Sequence, residues 1–245
     1  MFRFFRYLCH KIVAMRKFYV IILGCLLVVG VAKAQTFHEE LPPNVLRDSL
    51  AAATEILAYH PDSVDLRLKK AAWNIQLKQW EYAKDDLDKV LYLDNVNIAG
   101  LFYRAYVNER MRRYNFARLD YQNLLTLVPG NFEAQLGLAL LNEKDKHYTE
   151  AYDGINSLVE QYPNRAEAYA ARAGIEKERG MLELAVMDFS EAIQRDDSNT
   201  DYLLNRADIL ITLGEYTDAR ADLQRLEQLG IHRNAMRHLY DRMNK

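Results

Sequence analysis

The sequence predicts an all-α protein, a solenoid of five helix–turn–helix repeats of 34 residues each. Ala71, Ala105, Ala139, Ala173 and Ala207 stand at that constant spacing. A second ladder, Ala83, Ala117, Ala151, Ala185 and Ala219, keeps the same period twelve residues later. Composition agrees: of 245 residues only 10 are Gly and 5 are Pro, so little interrupts helix. Two ladders locked in one frame require stacked like units, since a single irregular core does not return a small residue at fixed intervals.

With the first ladder at position 8, the units are 64–97, 98–131, 132–165, 166–199 and 200–233. Position 24 is apolar throughout (Leu87, Tyr121, Ile155, Phe189, Leu223). Position 28 carries Leu91, Leu125, Val159 and Ile193 before Glu227 breaks the pattern. Pro129 and Pro163 occupy position 32, with Asn95 and Asp197 as turn formers in other units. The residue before each first helix is Ser63, Asn97, Asn131, Arg165 or Asn199, and the Ser and Asn side chains suit an N-cap. Asp65, Glu133, Glu167 and Asp201 at position 2 complement the positive end of the helix dipole. Position 15 closes the first helix with Lys78, Arg112, Lys146, Gly180 and Gly214, cations and glycines that both suit a C-terminus. The alanines mark close helix crossings, where Leu at Ala139 or Ala151 would overpack.

Both ends need closing. Residues 44–63 read as an N-terminal capping helix, a degenerate half repeat ended by Pro61, with Leu50, Ala53, Ile56 and Leu57 as its apolar face. Residues 234–245 read as a C-terminal capping helix beyond Gly230, carried by Met236, Leu239 and Met243.

Residues 1–34 read as an export signal. They hold Arg3, Arg6, Lys11, Arg16, Lys17 and Lys33 and no acid. An uncharged run from Phe18 to Ala32 follows Arg16 and Lys17, too short for the roughly 20 residues of a bilayer span. Ala32-Lys33-Ala34 makes a cleavage site, with Gln35 as the mature start and 35–43 as a linker. Met15-Arg16-Lys17 offers an alternative initiation point. The expected location is the periplasm or the medium, with an uncleaved membrane anchor as the alternative. Cys9 and Cys25 both lie in this segment, so the mature chain would hold no disulfide. The net charge is −2, and −8 once the six leader cations are removed, which disfavours nucleic acid as a partner.

These residues resemble the tetratricopeptide repeat family. The likeness rests on small residues at positions 8 and 20, aromatics such as Tyr121 and Phe189 at 24, and Pro129 and Pro163 at 32, over residues 64–233. The chain departs at position 4, where Arg67, Leu101, Gln135, Tyr169 and Leu203 replace the usual Trp. The resemblance implies a right-handed superhelix whose first helices line a concave groove through positions 2, 5, 9, 12 and 13. It places Phe102, Tyr106, Leu136 and Leu140 together as an apolar patch, with Glu109, Arg110, Glu143 and Lys144 as a charged rim. Ala170 and Gly174 would leave a shallow place in the fourth repeat. The groove type that grips a C-terminal carboxylate through Lys at position 5 and Asn at position 9 is excluded, since no repeat carries either.

Nothing in the chain suggests catalysis. His38, His60, His147, His232 and His238 are scattered, no metal pair stands at one-turn spacing, and no glycine-rich phosphate loop exists. The expectation is a non-enzymatic scaffold, without cofactor or metal, that holds a peptide or partner protein in its groove. The runner-up is a structural accessory subunit of a membrane-associated envelope complex, attached through the convex face or the caps.

Overall fold

The computed structural model describes residues 42–244. The leader, its Ala34–Gln35 cleavage point and both cysteines lie outside them, as does most of the linker. Helix α1 (Pro43–Tyr59) precedes five helix pairs. These are α2 (Val64–Gln76) with α3 (Trp80–Leu93), and α4 (Ile98–Arg110) with α5 (Tyr114–Leu127). Then come α6 (Phe132–Lys144) with α7 (Tyr148–Gln161), and α8 (Ala166–Glu178) with α9 (Leu182–Arg195). The last pair is α10 (Thr200–Leu213) with α11 (Tyr216–Gln228). A 3₁₀ turn (Arg233–Met236) and α12 (Arg237–Met243) close the array, and the described residues contain no strand.

All ten ladder alanines are at most 2% exposed. They sit where the two helices of a pair cross, so only a methyl fits: a Cβ built on Gly154 would already lie 3.4 Å from that of Ala139. Pairs stack in chain order, each second helix against the next first helix. The first helices of repeats 1 and 2, 2 and 3, and 3 and 4 also touch one another, and no two second helices do so to the same extent. The array therefore curves with its first helices inside. A bent row of rods closes up on its concave side.

The helix ends show which local signals matter. Asn97, Asn131 and Asn199 accept hydrogen bonds from the amides of Gly100, Ala134 and Asp201 at 2.8, 2.8 and 3.0 Å. Ser63, expected to cap α2, makes no such bond. Arg67 holds that turn instead, donating to the Pro61 carbonyl at 3.0 and 2.8 Å, and Gln135 does the same for Pro129 at 2.7 Å. Two departures from the usual Trp at position 4 thus serve as turn clamps.

Position 15 owes its residues to backbone handedness more than to the dipole. Lys78, Arg112 and Lys146 have φ of 57°, 59° and 63°, and Gly180 and Gly214 have 75° and 83°. Each lets the following amide reach back into the helix, as Gln79 does to Asn74 at 2.8 Å. A non-glycine residue held there costs about 1 kcal/mol.

Both caps close the core. On α1 the inward face is Leu46, Ala53 and Leu57, with Leu50 half-buried. Ile56, expected inside, is exposed because α1 packs chiefly on α2 and the stripe through 46, 50, 53 and 57 turns residue 56 away. At the other end Met236, Leu239 and Met243 join Leu203, Leu223 and Leu226 in one cluster. Glu227, which breaks position 28, accepts a hydrogen bond from Tyr240 at 3.0 Å. Position 28 meets the next repeat everywhere else; here it meets the cap.

Candidate functional site: the face of the first helices

Charged pins set the frame of this face. Within repeats 1, 2, 4 and 5, a cation at position 7 meets a buried Asp at position 23. Arg104 grips Asp120 at 2.9 and 2.7 Å, Arg172 grips Asp188 at 2.5 and 2.8 Å, and Arg206 grips Asp222 at 2.9 and 2.6 Å. Lys70 meets Asp86 at 3.0 Å. The three arginines also reach position 25 of the preceding repeat, at Asp88, Asn156 and Ser190, so each ties two units together. Hydrogen bonds to Asp120 raise the Arg104 pKa against the cost of its own burial, so the guanidinium stays charged at any ordinary pH.

The residues of the expected apolar patch lie on α4 and α6, Phe102 against one core cluster and Leu136 and Leu140 against another. Phe102 meets the rings of Tyr103 and Tyr121 edge-on, with centroids 6.0 and 6.1 Å apart. Tyr106 lies edge-on to Trp80 at 6.2 Å, and Arg110 stands 5.4 Å from the same indole. Leu136 and Leu140 pack on a cluster with Phe132, Ala139 and Ile155. All four patch residues are half-buried, so much of their area serves stacking between repeats. Lys144 bridges to Glu109 at 2.5 Å across the two helices. Glu143, expected on the rim, is buried instead; desolvation raises its carboxyl, and one oxygen has no partner among the described residues.

A depression of about 360 Å³ opens further along, between α8 and α10. The two first helices stay linked further along by Lys177 and Asp208, but Ala170 and Gly174 present almost no side chain and leave space here. Phe189 and Ala171 line it with them, and Glu167, Asp201, Tyr202 and Asn205 complete the wall. Burial, then the charges of Glu167 and Asp196, push the Tyr202 phenol up to about 12, so it keeps its proton. Beyond it the face ends at Asp208. Burial works to raise that carboxyl, but hydrogen bonds from Lys177 at 2.8 Å and Arg242 at 2.5 Å hold it low and tie α12 to the face.

Known proteins share this geometry. A tetratricopeptide repeat model matches residues 176–233. A tetratricopeptide repeat protein from Parabacteroides merdae shares the fold with a TM-score of 0.69, at 20% identity over 82% of this chain and 79% of that one. TTC0263 from Thermus thermophilus reaches 0.60 at 14% identity, over 75% of this chain and 100% of that chain. YrrB reaches 0.50 at 19% identity, over 76% and 97%. No curated protein matches the sequence. The chain's fold is that of the tetratricopeptide repeat proteins.

Within its tetratricopeptide frame the pin is a third ladder. Lys70, Arg104, Arg172 and Arg206 share one period, as do Asp86, Asp120, Asp188 and Asp222. Inspection for apolar and small residues passes over it, yet counting charged types at the period of 34 residues exposes it. Repeat 3 carries Leu138 and Gly154 at the two positions and has no pin. Among the described residues, no three His, Cys, Asp or Glu side chains are placed to hold a metal ion. No described helix is long and apolar enough to cross a membrane.

Proposed function

We propose that the protein is an exported, non-catalytic scaffold that holds a peptide segment of a partner protein in the groove of its first helices. The observation that carries this reading is the depression between α8 and α10. Phe189 forms its apolar wall, Ala170 and Gly174 leave it open, and Glu167 and Asp201 stand on its edge. That arrangement suits one large apolar side chain flanked by a cation, a small anchor of the kind that dominates peptide affinity. The half-buried patch of Phe102, Tyr106, Leu136 and Leu140 would extend the contact toward repeat 2. YrrB, of like fold, is described as having an unusual peptide-binding site, which makes a groove ligand chemically reasonable here. The basic and apolar leader supports export, with the periplasm as the place of work.

In-cell crosslinking of the full chain tests both halves. Gly174→Leu projects a side chain into the depression from a position where a Cβ meets nothing within 4 Å, and Phe102→Ala with Tyr106→Ala strips the patch. A captured partner should be lost at least tenfold in Gly174→Leu. Retention of the same partner by both variants would reject the groove, and an unprocessed leader would reject export.

A further inference from the structure

The outer face carries a second pattern, independent of the groove. Positions 19 and 22 lie three residues apart and so share one side of each second helix. In repeat 2 they are Phe116 and Leu119, 64% and 53% exposed; in repeat 4 they are Leu184 and Met187, 45% and 64% exposed. In repeat 3, between them, stand Glu150 and Asp153, both exposed. Asp153 makes no ion pair among the described residues, and Glu150 touches only the imidazole of His147 at 3.7 Å. The face therefore reads apolar, acidic, apolar along the array. None of the four apolar side chains belongs to the core clusters that hold the repeats together, so stacking does not account for them. Paired large apolar residues left in water mark an interaction surface.

Charge decides between occupants. A second copy docking about a two-fold axis would bring the repeat 2 pair onto the repeat 4 pair of its mate. It would also set Glu150 and Asp153 against their own counterparts on the axis, and like charges so placed oppose association. A partner with a basic centre meets no such penalty. The contact residues recur at the same repeat positions and form a strip one or two side chains wide, which fits a helix laid along the array.

We propose that the second helices of repeats 2 to 4 dock an amphipathic helix of another protein, apolar at both ends and carrying Lys or Arg at its centre. With the groove occupied as well, the protein joins two partners.

Two labelled synthetic helices test this against the full mature chain by fluorescence anisotropy. Both carry Leu-rich stripes at each end; one has Lys and Arg at its centre, the other Glu. The basic helix should bind at least tenfold more tightly than the acidic one. Phe116→Ser with Met187→Ser, both at exposed positions, should weaken it at least tenfold with an unchanged melting temperature. Glu150→Lys with Asp153→Lys should reverse the preference toward the acidic helix, and Gly174→Leu should leave all values unaltered. Equal affinity for the two helices, no binding of either, or no effect of the serine pair overturns the proposal. So does a wild-type dimer in sedimentation that the serine pair converts to monomer, because the occupant is then a second copy. Sensitivity to Gly174→Leu would assign the binding to the groove and overturn it equally.

Discussion

Repeat 3 and its neighbours reach the same fold by different chemistry. Repeats 1, 2, 4 and 5 each bury an Asp beneath a cation, and three of those cations also hold the preceding repeat. Repeat 3 has Leu138 in the cation's place and Gly154 in the acid's. It is tied to repeat 2 from the other side, by Arg118 reaching Asn142 at 3.2 Å and Asp145 at 2.5 Å. Toward repeat 4 it adds the Tyr152 hydroxyl, which donates to buried Glu176 at 3.1 Å. The alanine ladders pass through all five units unchanged, so close crossing is the invariant and the ion pair is a replaceable lock.

Breaking the lock on one partner should give the largest effect. Arg104→Leu leaves the buried Asp120 without its cation and should cost about 3–5 kcal/mol in urea unfolding. Adding Asp120→Ala imports the apolar solution of repeat 3 and should recover at least half of that loss. A double variant no better than the single would mean that the pin is indispensable outside repeat 3.

The next effect separates two glycines of the same face. A Cβ at Gly137 would lie 2.6 Å from the buried Tyr121 ring, whereas one at Gly174 meets nothing within 4 Å. Gly137→Ala should lower stability by about 1–3 kcal/mol through overpacking. Gly174→Ala should raise it by about 0.5–1 kcal/mol, because alanine suits a helix interior. Equal thermal shifts for the two would contradict this packing.

A further effect depends on pH and probes the junction of repeats 3 and 4. Burial, and then the charge of Asp188, push the Glu176 carboxyl up to about 7, and one of its oxygens has no partner among the described residues. The fold therefore prefers the protonated acid. Its contribution is complete below about pH 4, where the unfolded chain is protonated too, and is lost as pH rises through about 7. Glu176→Gln keeps the shape without the charge. It should match wild type at pH 4 and exceed it at pH 8 by on the order of 1–2 kcal/mol. An offset between the two proteins that stays constant with pH would show that Glu176 does not titrate in this range.

Much of this was legible because a solenoid writes its contacts locally. The period, the unit boundaries and the crossing alanines all follow from residues less than one repeat apart. Ala170 and Gly174 pointed to the depression, since small residues predict space. Ile56, Ser63 and Glu143 were misread for one shared reason. Each obeys a sound local rule, but its exposure or bonding depends on a neighbour that the period does not name: α2 for Ile56, Arg67 for the turn at Ser63, and the stacked repeats for Glu143. The cations at position 15 had the right place and an incomplete cause, because left-handed backbone leaves no compositional mark when Lys or Arg adopts it.

By itself, then, the sequence determined the repeat, its number, its phase and the two closed ends, since each of these is an interaction between residues within about 34 positions. Tertiary structure alone decided which large apolar side chains the stacking consumes, as for Phe102 and Tyr106. It also decided which stay in water, as for Phe116 and Met187. The physical reason is that an apolar residue looks the same in a sequence whether it is buried or exposed, and only the curvature of the array and the placement of neighbouring helices tell the two apart.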